Sequence, residues 1–111
     1  MIKLAQEFES RGNLQLAEKI YIESKTPDRA IKMYKSAAEW TQMIRLFEQF
    51  RPDHLQDAYL LIARKREQEE NLKEAEQNFI LAGKWLSAVD MYERHKRFDE
   101  CVKVLKQFAS D

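Results

Sequence analysis

Two histidines and one cysteine are the side chains of this sequence best suited to metal binding or nucleophilic chemistry. His54 and His95 lie far apart, and neither has a cysteine, a histidine or a carboxylate at a recognised metal-ligand spacing. Cys101 could act as a nucleophile only beside a base or a helix N-terminus, which would stabilise its thiolate. We therefore predict no metal site, and a regulatory module that uses a reactive Cys101 is the less favoured alternative to a core position.

A dense run of carboxylates between residues 67 and 76 is the other place where acid–base chemistry could be sought. Basic residues between positions 64 and 73 alternate with these carboxylates, which is typical of a solvated helix face with ion pairs. The sequence has no glycine-rich phosphate loop and no Ser/His/Asp order typical of a catalytic triad. We predict no enzyme activity, no small-molecule substrate and no cofactor.

The charge balance and the cysteine count restrict the possible partners and the compartment. The chain has 19 basic and 19 acidic residues with their signs mixed along its length, so we expect no nucleic-acid partner. A single cysteine cannot form an internal disulfide, which fits a reducing compartment. No apolar run approaches the roughly 20 residues of a membrane-spanning helix, and the first residues do not resemble a signal peptide.

Residues 4–50 and residues 62–108 are two copies of one unit, related without a gap by a shift of 58 positions. Many of the differences exchange like for like, as where Tyr21 aligns with Phe79. A fixed period predicts a repeat architecture, and such architectures mostly bind other molecules rather than catalyse reactions. The predicted packing positions of the two copies are Ala17, Tyr21, Ala30, Tyr34, Ala75, Phe79, Ala88 and Tyr92.

Short blocks of apolar residues at spacings of three and four predict an all-α fold. Residues 4–27 resemble the tetratricopeptide pattern of small and large positions over two helices. We predict a tetratricopeptide-like α-solenoid of about four antiparallel hairpins over residues 1–111, with a compact helical bundle as the less favoured alternative. The eight predicted helices span about 2–11, 14–25, 27–37, 41–50, 52–69, 72–82, 85–95 and 99–109.

Residues that favour helix ends separate these blocks. Gly12 and Gly83 suit the left-handed position that ends a helix. Asn71 with Glu74 predicts a variant of the capping box. The other predicted N-caps are Asn13, Thr26, Thr41 and Asp99.

The two tryptophans and the terminal helices bear on how the chain associates. We expect Trp40 and Trp85 to pack between hairpins, with a role as partly exposed binding anchors as the alternative. The first and last predicted helices lack the polar face of a capping repeat. We therefore expect a piece of a longer array, or end-to-end self-association.

A basic cluster follows the seventh predicted helix. His95, Lys96 and Arg97 could contact an acidic partner or a membrane surface, although a solvated turn is the favoured interpretation. Arg64 and His95 replace Gln6 and Ala37 of the first copy, so we expect these positions on the outside of the fold. Partner choice should depend on such differences between the copies.

Several stretches, taken in order, resemble the helical-repeat region of the large intraflagellar transport subunits, most closely those of complex B. These stretches are residues 26–35, 43–46, 51–55, 75–76 and 85–92. The resemblance implies a scaffold in the transport trains of the cilium or flagellum, with the basal body included and on the cytoplasmic side. It also implies that the partners are other protein subunits of the transport complex. A scaffold segment of a vesicle-coat or tethering complex is the alternative.

Overall fold

The computed structural model describes residues 1–109, which form eight α-helices and no β-strand. A single 3-10 turn, Pro52–His54, precedes the fifth helix. The predicted all-α class is confirmed, and the only predicted start that shifts by more than one residue is that of the fifth helix. The helices are α1 (Ile2–Ser10), α2 (Leu14–Glu23), α3 (Pro27–Ser36), α4 (Trp40–Phe50), α5 (Leu55–Gln68), α6 (Leu72–Leu81), α7 (Trp85–Arg94) and α8 (Phe98–Phe108).

The chain divides into two compact units, Met1–Pro52 and Asp53–Asp111. In the first unit α1 packs on α2, α2 on α3 and α3 on α4. In the second unit α5, α6, α7 and α8 follow the same order. Consecutive packing of this kind is the arrangement of a helical-repeat solenoid.

Each unit buries one stripe of its helices, because isolated helices of this length are marginal in water and need packing to persist. All eight predicted packing positions are at most 3% exposed. The four packing positions of the second unit belong to one core cluster that also contains Met91, Cys101 and Val104. Cys101 is 8% exposed and its counterpart Met43 is 1% exposed, so both occupy core positions.

A residue in the left-handed backbone conformation ends six of the helices. Each unit has three such residues, spaced 13 positions apart. In every turn the residue after the left-handed one donates its backbone N–H to the carbonyl five residues earlier. Asn13, for example, donates to Phe8 at 2.9 Å, which is the hydrogen bond of a Schellman motif. Within each unit the repeating element is therefore one helix and one turn of 13 residues. This period is shorter than the 58-residue shift that relates the two copies. The six residues are Gly12, Lys25, Ala38, Glu70, Gly83 and Lys96.

The N-cap predictions are partly wrong. The Asn13 side chain does accept a hydrogen bond from the Leu16 N–H, at 3.4 Å. Asn71 makes no such bond, and the Glu74 carboxylate lies 3.1 Å from the guanidinium of Arg66 instead of closing a capping box.

Of the other three N-cap predictions, that of Thr26 before Pro27 is correct in position, and those of Thr41 and Asp99 are wrong. Thr26 is at the N-cap, but its hydroxyl donates back to the Tyr21 carbonyl at 3.0 Å. Thr41 and Asp99 lie inside the first turns of their helices, after Glu39 and Arg97. At α4 and α8 the N-cap directly follows the left-handed residue of the preceding turn, two residues before the predicted capping residue.

Ala38 is the clearest place to test this turn geometry, because an alanine at φ +57° is strained where glycine is not. We expect Ala38→Gly to raise the free energy of unfolding by about 1 kcal/mol, measured by urea denaturation. Ala37→Gly is the matched control, since Ala37 has φ −86° and glycine relieves no strain there. Equal shifts in the two variants would contradict the strain argument.

Candidate interaction surface

A buried tyrosine–carboxylate pair occurs at the same place in both units. The Tyr34 hydroxyl of α3 donates to Glu18 of α2 at 2.6 Å, and the Tyr92 hydroxyl of α7 donates to Glu76 of α6 at 2.5 Å. Burial first, and then the hydrogen bond to the carboxylate, raise the pKa of both phenols well above the ordinary value of 10.0. Each pair fixes two consecutive helices of its unit to each other.

The carboxylates of these pairs were not recognised in the sequence. Glu76 belongs to the run that we interpreted as solvated, yet its side chain is only 12% exposed. In both units the carboxylate precedes the tyrosine by 16 positions. This repeated separation, at equivalent positions of the duplication, is the signal that could have identified the pairs.

The phenol pKa values predict how stability depends on alkaline pH. Because the folded-state pKa of Tyr34 and Tyr92 lies above the unfolded value of about 10, their contribution to stability is complete below pH 10. It is lost as the pH rises above that value, since the unfolded chain releases its protons first. We expect the free energy of unfolding to fall between about pH 10 and pH 12 more steeply than in the Tyr34→Phe, Tyr92→Phe double variant. Parallel pH profiles would contradict this prediction.

A groove of about 440 Å³ lies between α2 and α4 of the first unit. At its edge the Arg45 guanidinium donates to Glu18 at 2.6 Å, and this bond raises the pKa of Arg45. The Arg45 side chain is 46% exposed, so the ion pair contributes little to stability. In the second unit the position of Arg45 is Lys103, and the cation nearest to the carboxylate is Lys73, 3.7 Å from Glu76.

The two units differ in the contacts of a second carboxylate that both copies have, Glu9 of α1 and Glu67 of α5. The Tyr21 hydroxyl donates to Glu9 at 2.9 Å, and burial together with this bond raises the pKa of Tyr21. The aligned residue in the second unit, Phe79, has no hydroxyl. Glu67 instead accepts hydrogen bonds of 2.8 and 2.9 Å from Arg94.

His95 also contacts Glu67, which corrects the sequence interpretation of the basic cluster. Its Nε2 lies 3.1 Å from Glu67 and its side chain is 30% exposed, so His95 is partly buried rather than on the outside. Lys96 and Arg97 are exposed, and Lys96 is the left-handed residue of its turn. Only these two members of the cluster are fully available to a partner.

The two tryptophans are both half-buried. Trp85 stacks on Phe108 of the same hairpin, with ring centroids 5.7 Å apart and an angle of 15° between the planes. Its packing therefore lies within one hairpin, whereas the sequence predicted packing between hairpins.

Arg64 is exposed and lines a groove of about 450 Å³ along α5 with Leu60 and Leu61.

An apolar stripe follows one face of α8. Phe98, Val102 and Leu105 are 59%, 46% and 37% exposed, and their spacings of four and three place them together. The stripe is flanked by the exposed Lys103 and Lys106. Isolated exposed apolar residues need no explanation, but a contiguous stripe is typical of a surface that meets another protein.

The chemically reactive residues are not brought together. The Cys101 thiol is buried and lies 3.9 Å from the Val89 carbonyl. His54 lies 3.6 Å from Asp53 and from Asp57, and its side chain is 56% exposed. Within residues 1–109, no group of three or more histidine, cysteine or acidic side chains could hold a metal ion. In the same range, no helix has the length and hydropathy needed to cross a bilayer.

Comparison with known proteins gives relatives of one kind, although no family model matches the chain. Intraflagellar transport protein 172 of Chlamydomonas reinhardtii is 41% identical over 107 residues, which cover 95% of this chain and 6% of that protein. The homologues from Drosophila melanogaster and Homo sapiens are 39% and 36% identical over 105 residues, with the same coverage. The chain thus spans about 6% of the length of these curated relatives. The resemblance to large intraflagellar transport subunits is confirmed.

Proposed function

We propose that this chain, a homologue of a segment of intraflagellar transport protein 172, is a non-catalytic protein-interaction scaffold in intraflagellar transport. The observation that carries the proposal is the identity of 36–41% over nearly the whole chain to relatives of that name. The partners would be other protein subunits of the transport complex. The place of action would be the cilium or flagellum and its basal body, on the cytoplasmic side.

The distribution of polar contacts supports a scaffold. The best hydrogen-bonded carboxylates, Glu18, Glu67 and Glu76, contact side chains of their own unit and hold its helices together. Cys101 is buried in the core. The copies differ mostly at exposed positions, such as Gln6 and Arg64, while three pairs of buried alanines are identical. These pairs are Ala5/Ala63, Ala17/Ala75 and Ala30/Ala88. A structure with a constant core and variable outer faces is suited to the docking of different proteins by shape and charge.

A chimera in Chlamydomonas reinhardtii tests the proposal. The 107-residue segment of intraflagellar transport protein 172 that aligns with this chain would be replaced by the chain itself. We expect the strain to assemble flagella and the tagged chimera to co-purify with other transport subunits. A deletion of the same segment is the control, and we expect it to shorten or abolish the flagella.

Two results would overturn the proposal. One is a stable chimera, present at normal abundance, that fails to support flagella. The other is recovery of vesicle-coat or tethering subunits without transport subunits, which would favour the alternative complex.

A further inference from the structure

A polar groove of about 190 Å³ lies between α1 and α3 of the first unit. Arg29 and Lys32 of α3 line it, and both are exposed. Neither forms an ion pair within the described part of the chain, although Arg45 and Arg51 of the same unit do. The other lining residues are Gln6, Glu9, Tyr21, Met33 and Ser36.

The charges of this groove do not cancel. Glu9 is its one carboxylate, and one of its oxygens already accepts the Tyr21 hydroxyl at 2.9 Å. The two cations therefore exceed the acidic charge by one. Gln6 and Ser36 add neutral hydrogen-bonding groups at the edges. A carboxylate entering the groove would meet two cations one helical turn apart on α3.

The equivalent region of the second unit does not share this charge. Arg29 and Lys32 align with Ser87 and Asp90. The carboxylate that aligns with Glu9 is Glu67, and Arg94 binds it. Helix α3 has three basic residues and one acidic residue, whereas α7 has one basic and two acidic residues. Of the two copies, only the first therefore has these two cations at the groove.

We propose that the α1–α3 groove of the first unit binds an acidic peptide segment of a partner protein. Charge complementarity selects this partner, because the two unpaired cations favour carboxylate side chains. The groove is smaller than the usual 300–1,000 Å³ of small-molecule sites. An excess of one positive charge is also too small for nucleic acid, which needs several phosphate contacts. The inference rests on the proposed function, since it names the chemistry of one partner of the scaffold.

A labelled peptide tests the groove directly. The probe is a fluorescein-labelled 12-residue peptide of alternating glutamate and serine, and the readout is anisotropy with the full chain at low salt. We expect saturable binding that weakens as sodium chloride is added, and no binding of the matching lysine–serine peptide. In the ¹⁵N-labelled chain, the peptide should shift the amide signals around Gln6, Arg29 and Lys32.

Two charge-matched variants locate the contact. Lys32→Asp introduces the residue that the second unit has at this position, and we expect it to weaken peptide binding about tenfold. Lys35→Asp makes the same change of charge on α3 outside the groove. Both variants are compared at about 0.15 M sodium chloride, where the Debye length is about 8 Å, and there we expect less than about a twofold effect of Lys35→Asp. Thermal melts followed by circular dichroism establish that both variants are folded.

Several outcomes would overturn the inference. They are an absence of binding by the unmodified chain, equal losses in the two variants, and amide shifts that lie outside the groove. Binding to phosphatidylserine vesicles without binding to the peptide would identify a lipid surface as the ligand instead. If the chimera supports flagella but the chain does not bind the peptide, the groove inference is wrong and the proposed function stands. A chimera that fails while the peptide binds would contradict only the function proposed above.

Discussion

Replacing Phe79 by alanine should lower the free energy of unfolding by about 3–5 kcal/mol, the usual cost of deleting a buried aromatic ring. Phe79 is 3% exposed on α6 and packs in the cluster formed by α5, α6, α7 and α8. Its loss removes the contact area of the ring and leaves a cavity that short, tightly turned helices can close only in part. Urea denaturation followed by circular dichroism at 222 nm measures the effect.

Leu81→Ala is the control for this prediction. Leu81 lies on the same helix, but it is 58% exposed, so its truncation should change the free energy of unfolding by less than about 0.5 kcal/mol. Similar losses in the two variants would contradict the assignment to burial of the ring, because alanine is the better helix former at both positions.

The aligned position of the first unit, Tyr21, shows how the two copies use one core site differently. Tyr21 fills the site and also holds Glu9 through its hydroxyl. Phe79 fills it without a hydroxyl, and Glu67 is held by Arg94 of α7 and by the C-cap residue His95. The copies thus keep the ring and the carboxylate while changing the group that satisfies the carboxylate. In the first unit Arg29 and Lys32 line the groove beside Glu9, and neither forms an ion pair among the residues that the structure describes.

The helices and their core could be predicted because both depend on local patterns. Spacings of three and four identify the buried face of a helix, and the gapless duplication identifies the same face twice. For this reason Ala30 and Ala88 were expected in the core, where both are 0% exposed. These positions require only hydrophobicity and size, which a sequence displays directly.

The turns were less visible, because four of the six left-handed residues are not glycine. Lys25, Ala38, Glu70 and Lys96 have φ values between 57° and 63°. Such residues are not distinctive in a sequence, so the period of 13 residues was missed. The backbone hydrogen bonds of the Schellman turn compensate for the strain at these positions.

The polar contacts could not be predicted either, since they join residues far apart in the sequence. Glu67 and His95 are separated by 28 positions, and each looks like an ordinary surface residue when considered alone. Only the fold of the second unit, which brings the C-cap residue of α7 to Glu67 of α5, makes them neighbours. The charge of the α1–α3 groove could not be predicted for the same reason, because only the folded chain shows which cations pair with carboxylates.

Close helix packing in each first hairpin depends on paired alanines, and Ala75→Leu should therefore destabilise the second unit by about 1–3 kcal/mol. Ala63 of α5 and Ala75 of α6 are both 0% exposed where these helices pack together. Their counterparts in the first unit, Ala5 and Ala17, are also 0% exposed. A leucine adds three carbon atoms at a site without free volume, so either the helices separate or the side chain adopts a strained rotamer.

Two further variants make this prediction specific to the hairpin interface. Ala17→Leu places the same side chain at the equivalent site and should cost a similar amount in the first unit. Ala37→Leu places it on an exposed residue, and the free energy of unfolding should change by less than about 0.5 kcal/mol. An Ala75→Leu variant as stable as the unmodified chain in urea would show that the helices do not meet at this residue. Losses at Ala17 and Ala75 but not at Ala37 would establish that small residues set the distance between the paired helices, as the duplication keeps them in both copies.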